Sequence, residues 1–387
     1  MQVVRPPWTV RRDFSSAPIF VCWETTKACL LSCRHCRARA IKHSMPGELN
    51  RDEGLRLIDQ LTEFAEPYPA LLLTGGDPLM REDFFDLVEH AKRKGIYVAV
   101  AASVTPKLSE ETIVRMQELG VDIMSLSLDG AVPETHDKLR GVKGTWRQTL
   151  QTLRLAKEVG LRAQINTTVM RSNVNELAEI FHIAKENGTT AWEVFFLIRT
   201  GRGASMESLE PQECEDVMHF LYDAAHYGVP VRTAEGPHFR RIRAERQAGH
   251  DAPHTILYEQ MSARLRALEG EPTEQASTKS TATRDGRGIM FVAYDGEVYP
   301  SGFLPINAGR VPNDSLSSIY RTNSVFLALR DSTNLKGRCG VCDYREICGG
   351  SRSRAFAELG DALGEDPACA YLPHVDGSTT PMPTSLG

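Results

Sequence analysis

The feature that most constrains the fold is an alternation. From Pro18 to about Glu235, short apolar runs rich in β-branched residues take turns with segments of helical period. This rhythm predicts repeated strand–helix units on a parallel sheet. The predicted strands are Ile19–Glu24, Leu71–Thr74, Tyr97–Ala102, Ile123–Leu128, Ala163–Val169 and Glu193–Ile198. Helices are expected between them at Arg51–Phe64, Arg81–Lys94, Glu110–Leu119, Thr145–Val159, Asn173–Asn187 and Pro211–His226. Six such units fit an open barrel or a doubly wound sheet, and in either one ligands gather at the C-terminal ends of the strands.

The rhythm breaks after residue 235. Residues 236–288 hold a basic stretch, His238 to Arg246, then a helical segment near Leu257–Leu268 and a polar run, Glu271–Asp285. This reads as a bridge or lid. Residues 289–372 begin with Ile289–Tyr299, a β-hairpin pattern with an Asp-Gly turn, and continue into a helix and a cysteine cluster. Residues 1–17 form an N-terminal extension and 373–387 a tail. A net charge of −5 gives no global reason to bind nucleic acid or a membrane surface. No apolar run approaches the ~20 residues of a membrane span and none resembles a signal peptide, so a cytoplasmic protein is expected.

The nine cysteines cluster in short spacings, and a chain of 387 residues needs no disulfide staples, so metal ligation accounts for them better. Cys22 and Cys214 stand apart and read as inert thiols. The loop after the first strand carries Cys29, Cys33 and Cys36, with three residues in the first gap and two in the second. A closed zinc or iron–sulfur site takes four protein ligands, whereas three leave one corner open for a substrate or cofactor. Zinc completed by His35 or a distant residue is the alternative.

This triplet, at this place, resembles the Cys-x3-Cys-x-aromatic-Cys motif of the radical S-adenosylmethionine (SAM) superfamily, with His35 in the aromatic position. The resemblance implies a [4Fe-4S] cluster whose open iron chelates SAM and delivers the electron that releases a 5′-deoxyadenosyl radical. Thr74-Gly75-Gly76-Asp77-Pro78 is similar to the family's Gly-Gly-Glu-Pro turn, which binds the SAM amino group; Asp77 is one methylene short. Ser125-Leu-Ser-Leu-Asp-Gly130 and Arg140-Gly141 resemble elements of the peptide and cofactor maturases. By the same resemblance Ser127 and Arg140 are candidates for the SAM ribose and carboxylate, Asn166 for the nucleoside and Leu197 for the adenine. The fold class implied is α/β, a partial (β/α)6 TIM-like barrel with a C-terminal iron–sulfur-binding twitch/SPASM-like extension.

Cys339, Cys342, Cys348 and Cys369 offer four thiolates, a closed site that suits zinc or an iron–sulfur cluster. The region resembles the SPASM or twitch extension of radical SAM maturases. A full SPASM domain has further cysteines where this chain has Ser301 and Arg352, so one auxiliary [4Fe-4S] cluster is expected.

Phe195 to Gly203, Pro300 to Pro305 and Cys348-Gly-Gly-Ser-Arg look most like the radical SAM branch of haem and haem d1 biosynthesis. The resemblance implies a small-molecule or peptide substrate and an electron donor such as a flavodoxin or ferredoxin. It does not name the catalytic residue. Arg199, Arg202, Arg240, Arg241, Arg243 and Arg246 would suit an acidic substrate such as a tetrapyrrole, or simply form a solvated basic helix. His238 would ligate a haem iron or be structural. Three functions follow: a tetrapyrrole-modifying enzyme acting on a propionate side chain, a maturase of a ribosomal peptide, or a non-enzymatic iron–sulfur carrier or sensor. About 17 residues precede the first strand, too few for a fused precursor-binding domain. The carrier is disfavoured because it has no use for an open iron beside a nucleoside-sized pocket.

Overall fold

In the computed structural model, which describes residues 5–250, 254–272 and 283–373, the predicted strands lie side by side in one sheet. They are β1 (Phe20–Glu24), β2 (Ala70–Thr74), β3 (Val98–Ala101), β4 (Ile123–Ser127), β5 (Ala163–Val169) and β6 (Trp192–Phe196). A seventh, β7 (Val231–Ala234), follows β6. Its Val-Arg-Thr-Ala sequence buries only the valine, so no apolar run announces it. The strands run parallel and in sequential order from β1 to β7. That order has no reversal point, which makes this the winding of a barrel rather than of a doubly wound sheet.

The helices form where their local chemistry starts and stops them. Arg51–Gln60 begins at a reciprocal cap: Asn50 accepts from the Glu53 backbone N–H, and the Glu53 carboxylate accepts from that of Asn50. Thr145–Val159 has the predicted limits and stops at Gly160. Pro133–Arg140 is a helix the periodicity did not reveal, because it is short and mostly polar. The helices cover large side chains that point out of the sheet. Trp23 and Trp192 have no exposed surface. The Trp192 indole donates to Thr167 Oγ1 at 2.9 Å and packs edge-on to Phe181.

The C-terminal hairpin forms as expected from β8 (Ile289–Val292) and β9 (Val298–Tyr299). Strand β8 also pairs parallel with β1, so the hairpin extends the barrel's sheet at the edge opposite β7. The basic stretch folds as a helix, His238–Gln247, but a solvated one it is not. Arg241 and Arg243 are buried, and Arg240 reaches the carbonyl of Ile347 at 2.8 Å. Part of the polar run Glu271–Asp285 and nearly all of the tail lie outside the described residues.

Candidate functional site

The loop from Thr25 to Ile41 leaves β1 and is held by the segments the sequence had marked. Asp77 N donates to the Ala28 carbonyl at 2.8 Å, and Ser32 N and Arg34 N donate to the carbonyls of Arg140 and Leu139. Arg202 donates from its backbone to the Cys36 carbonyl, and from its side chain to the carbonyls of Cys33 at 2.8 Å and Ala40 at 2.9 Å. Two glycines are required by this contact. A Cβ on Gly76 would run into the carbonyl oxygen of Ala28, and one on Gly201 into those of Cys36 and Arg37. At Gly201 the backbone is also left-handed, with φ of 59°.

Cys29, Cys33 and Cys36 line one cavity of about 250 Å³ at the C-terminal ends of the strands. With them are Gly75, Gly76, Ser127, Asn166 and Leu197, together with Arg140, so the motifs converge in one place. Each of the three sulfurs has a polar neighbour, although burial pushes the Cys29 thiol up. Leu31 N lies 3.4 Å from Cys29 Sγ, Ala40 N 3.5 Å from Cys36 Sγ, and Arg140 Nη1 3.6 Å from Cys33 Sγ. Such donors suit thiolates bound to iron and help to set a cluster's potential. Among the described residues no three His, Cys, Asp or Glu side chains converge on a point as a single ion would require. The three cysteines share the lining of one cavity without meeting at a point.

Asp77 is the one expected contact that the cavity does not include. Its side chain turns inward, fully buried, accepting from Thr105 Oγ1 at 3.0 Å and from Leu79 N at 3.2 Å. The shorter acid caps the following turn, and burial pushes its carboxyl up to about 6. Ser103, unmarked by any motif, takes a place on the cavity wall and lies 3.6 Å from Cys29 Sγ. Asn166 is oriented by Gln164, which donates to it at 2.8 Å and to Glu193 at 2.9 Å.

Arg140 does more than face a ligand. Its Nη2 donates to Asp129, which has no exposed surface and also accepts from Thr168 N at 2.7 Å. Burial alone would raise the Asp129 carboxyl, but Arg140 and His35 bring it below the ordinary value. The Arg140 Nε is buried without a hydrogen-bond partner. His35 stands 3.7 Å from Asp129. Burial drops its pKa to about 4, so at neutral pH this is a polar contact of an uncharged ring rather than an ion pair.

The four later cysteines line a second cavity. Tyr344 N lies 3.4 Å from Cys342 Sγ, Gly350 N 3.5 Å from Cys348 Sγ and Asp366 N 3.4 Å from Cys339 Sγ. Arg352, standing where a full SPASM domain has a further cysteine, is fully buried and brings Nη2 to 3.7 Å from Cys339 Sγ. Burial pushes the Cys348 thiol up to about 11 and Cys369 higher, so filling this site with metal would release protons.

The six arginines do not form a patch. Arg202 is spent on the cysteine loop, and Arg199 pairs with Glu358 at 3.5 Å. Arg241 chelates Glu215 at 2.5 and 2.6 Å, and Arg246 meets Asp223 at 2.6 Å. Sequence alone could not show Glu215 and Asp223 as partners, which come from the helix Pro211–Ala224. His238 is buried, with Nε2 2.9 Å from Asp366, as a structural histidine would be. The Cys22 and Cys214 thiols are pushed up to about 12 by burial, which fits inert side chains.

A family profile described as the radical SAM superfamily matches residues 23–184. An AdoMet-dependent heme synthase of Methanosarcina barkeri is 34% identical over 93% of this chain and 98% of its own length. The enzyme of that name from Oleidesulfovibrio alaskensis is 33% identical over 93% of this chain and 89% of its own. The mycofactocin maturase MftC of Mycobacterium tuberculosis is 28% identical over 91% of this chain and 83% of its own. Among solved structures, Streptococcus suis SuiB bound to the precursor peptide SuiA superposes with a TM-score of 0.68 at 15% identity, covering 92% of this chain and 76% of that one. The likeness to SuiB speaks for the fold alone. Profile, relatives and barrel agree: the chain is an enzyme of the radical SAM superfamily, whose members work with a [4Fe-4S] cluster and SAM.

Proposed function

We propose that Cys29, Cys33 and Cys36 hold the cluster, and that the radical made beside it abstracts hydrogen from a propionate side chain of a tetrapyrrole. One observation carries the first half. Three thiols from a single loop share a cavity with the glycine turn and the polar strand ends that resemble SAM contacts. The second half is supported by the two haem synthases, each matched over nearly the whole chain.

When bound, the cluster and SAM supply a 5′-deoxyadenosyl radical; the chain's own residues bind, orient and exclude water. The loop's carbonyl clamps, above all Arg202, fix the three sulfurs. Arg140, oriented by Asp129, places one N–H on Cys33 and would face the SAM carboxylate. Ser127 and Asn166 would take the ribose, and Leu197 the adenine. Cys339, Cys342, Cys348 and Cys369 would hold one auxiliary [4Fe-4S] cluster, suited to electron transfer because no corner is left open. We place the enzyme in the cytoplasm, with a flavodoxin or ferredoxin as donor.

Anaerobic reconstitution with SAM and a reductant tests the chemistry. Release of 5′-deoxyadenosine is expected, and its absence from protein with intact clusters would leave an electron carrier. Incubation with iron coproporphyrin, against peptides encoded beside the gene, tests the substrate. The maturase relative makes the peptide the second reading. Modification of a peptide and not of the porphyrin would decide for it.

A further inference from the structure

The candidate SAM contacts rise from β2 and the strands beyond it, but the cavity also has a wall at the β1–β8 edge to which none of those contacts belongs. Two side chains build it: Arg37, next to the last cysteine of the loop, and Phe303, from the turn that follows the C-terminal hairpin. The Arg37 guanidinium lies 4.8 Å from the ring centroid of Phe291 and 5.9 Å from that of Phe303. Its Nη2 donates to Glu24 Oε1 at 2.8 Å. The Glu24 side chain is 5% exposed, whereas that of Arg37 is 23% exposed.

Three arginines line the cavity, and they differ in what they have left to give. Arg140 is committed to Asp129 and Cys33, and Arg202 to two carbonyls of the loop. Among the described residues Glu24 is the only side-chain hydrogen-bond partner of Arg37. A guanidinium carries five N–H donors in a planar fork, so one edge can rest on a buried carboxylate while another receives a second one. The Arg37 charge thus keeps N–H donors for an acidic ligand. Phe303 supplies a flat apolar face beside that charge.

We propose that Arg37 and Phe303 anchor the substrate: Arg37 pairs with a carboxylate at its edge, and Phe303 packs against its planar ring system. The proposal rests on the tetrapyrrole reading and adds which residues select for it. A ring with carboxylates on flexible arms would be pinned at one arm and stacked at its face. Glu24 would hold the guanidinium in line.

Binding measured without reductant, by absorbance titration of the anaerobically reconstituted holoenzyme, tests this. The probes are iron coproporphyrin III and its tetramethyl ester. The unmodified enzyme should bind the acid about tenfold or more tightly than the ester. Arg37→Ala should lose that preference by weakening the acid alone, and Arg37→Lys should fall between, keeping charge but not the fork. Phe303→Ala should weaken both ligands. SAM binding in the same samples reports whether cluster and fold survive, and the acid–ester comparison needs no variant. Acid and ester bound equally by the unmodified enzyme would overturn the role of Arg37 while leaving the tetrapyrrole reading standing. Undiminished affinity for the acid in Arg37→Ala would do the same. An unmodified enzyme that binds neither probe would overturn the tetrapyrrole reading and this proposal with it.

Discussion

Asp129 shows how much a single buried carboxylate is asked to do. It has no exposed surface, yet it fixes Arg140 and caps the Thr168 N–H. Breaking such a pair strands the other charge, which costs about 3–5 kcal/mol. We predict that Asp129→Asn lowers unfolding stability by roughly 3 kcal/mol in anaerobic denaturant titrations; a change under about 0.5 kcal/mol would contradict it. Asp77 offers a pH test. Its folded pKa of about 6 stands above the ordinary aspartate value of 3.8, so its contribution is fully present below that lower value and is lost as pH rises through 6. Relative to Asp77→Asn, the unmodified protein should therefore lose about 2–3 kcal/mol between pH 4 and pH 7.5. Equal losses in both proteins would refute it. The Asp77 position was readable in sequence but its direction was not, because a Gly-Gly-Asp-Pro turn says nothing of Thr105, which lies 28 residues on and takes the carboxylate.

At the scale of elements, the strands and helices were legible because apolar periodicity survives in them, and the glycines because close approach forbids any other residue. What stayed hidden lacked such a signal: β7 has one buried side chain, and the helix Pro133–Arg140 is short and polar. The helix His238–Gln247 reads as solvated because its sequence is basic, while Glu215 and Asp223, which pair with Arg241 and Arg246, come from elsewhere in the chain. Two predictions belong here. Gly201→Ala sets a Cβ against the cysteine loop at a left-handed position, and should cost the reconstituted protein roughly half its iron. Cys342→Ala should also remove roughly half, but leave SAM binding in place. Iron and sulfide analysis checks both. Full iron in the first would show that the loop accommodates the Cβ, and loss of SAM binding in the second would show that the two cysteine groups are not separate sites.

The whole molecule joins two cysteine-lined cavities through one sheet. Strand β8 carries the C-terminal region onto β1, and β1 leads directly into the first cysteine loop. The cavity is therefore walled partly by barrel strands and partly by Phe303 from the far end of the chain. Removing Trp192, which locks β6 to the helical layer, should cost about 3–5 kcal/mol as Trp192→Ala in calorimetry or denaturant titration, whichever cavity is filled. The motifs carry the enzyme class in the sequence itself, whereas the partners of its charged side chains are visible only in three dimensions. The decisive experiment is electron paramagnetic resonance of the reduced, reconstituted protein with its auxiliary cysteines replaced, recorded with and without SAM. A [4Fe-4S] signal that shifts when SAM is added, and that disappears in Cys33→Ala, is the predicted result. A signal indifferent to SAM, or zinc in place of iron at Cys29, Cys33 and Cys36, would contradict it.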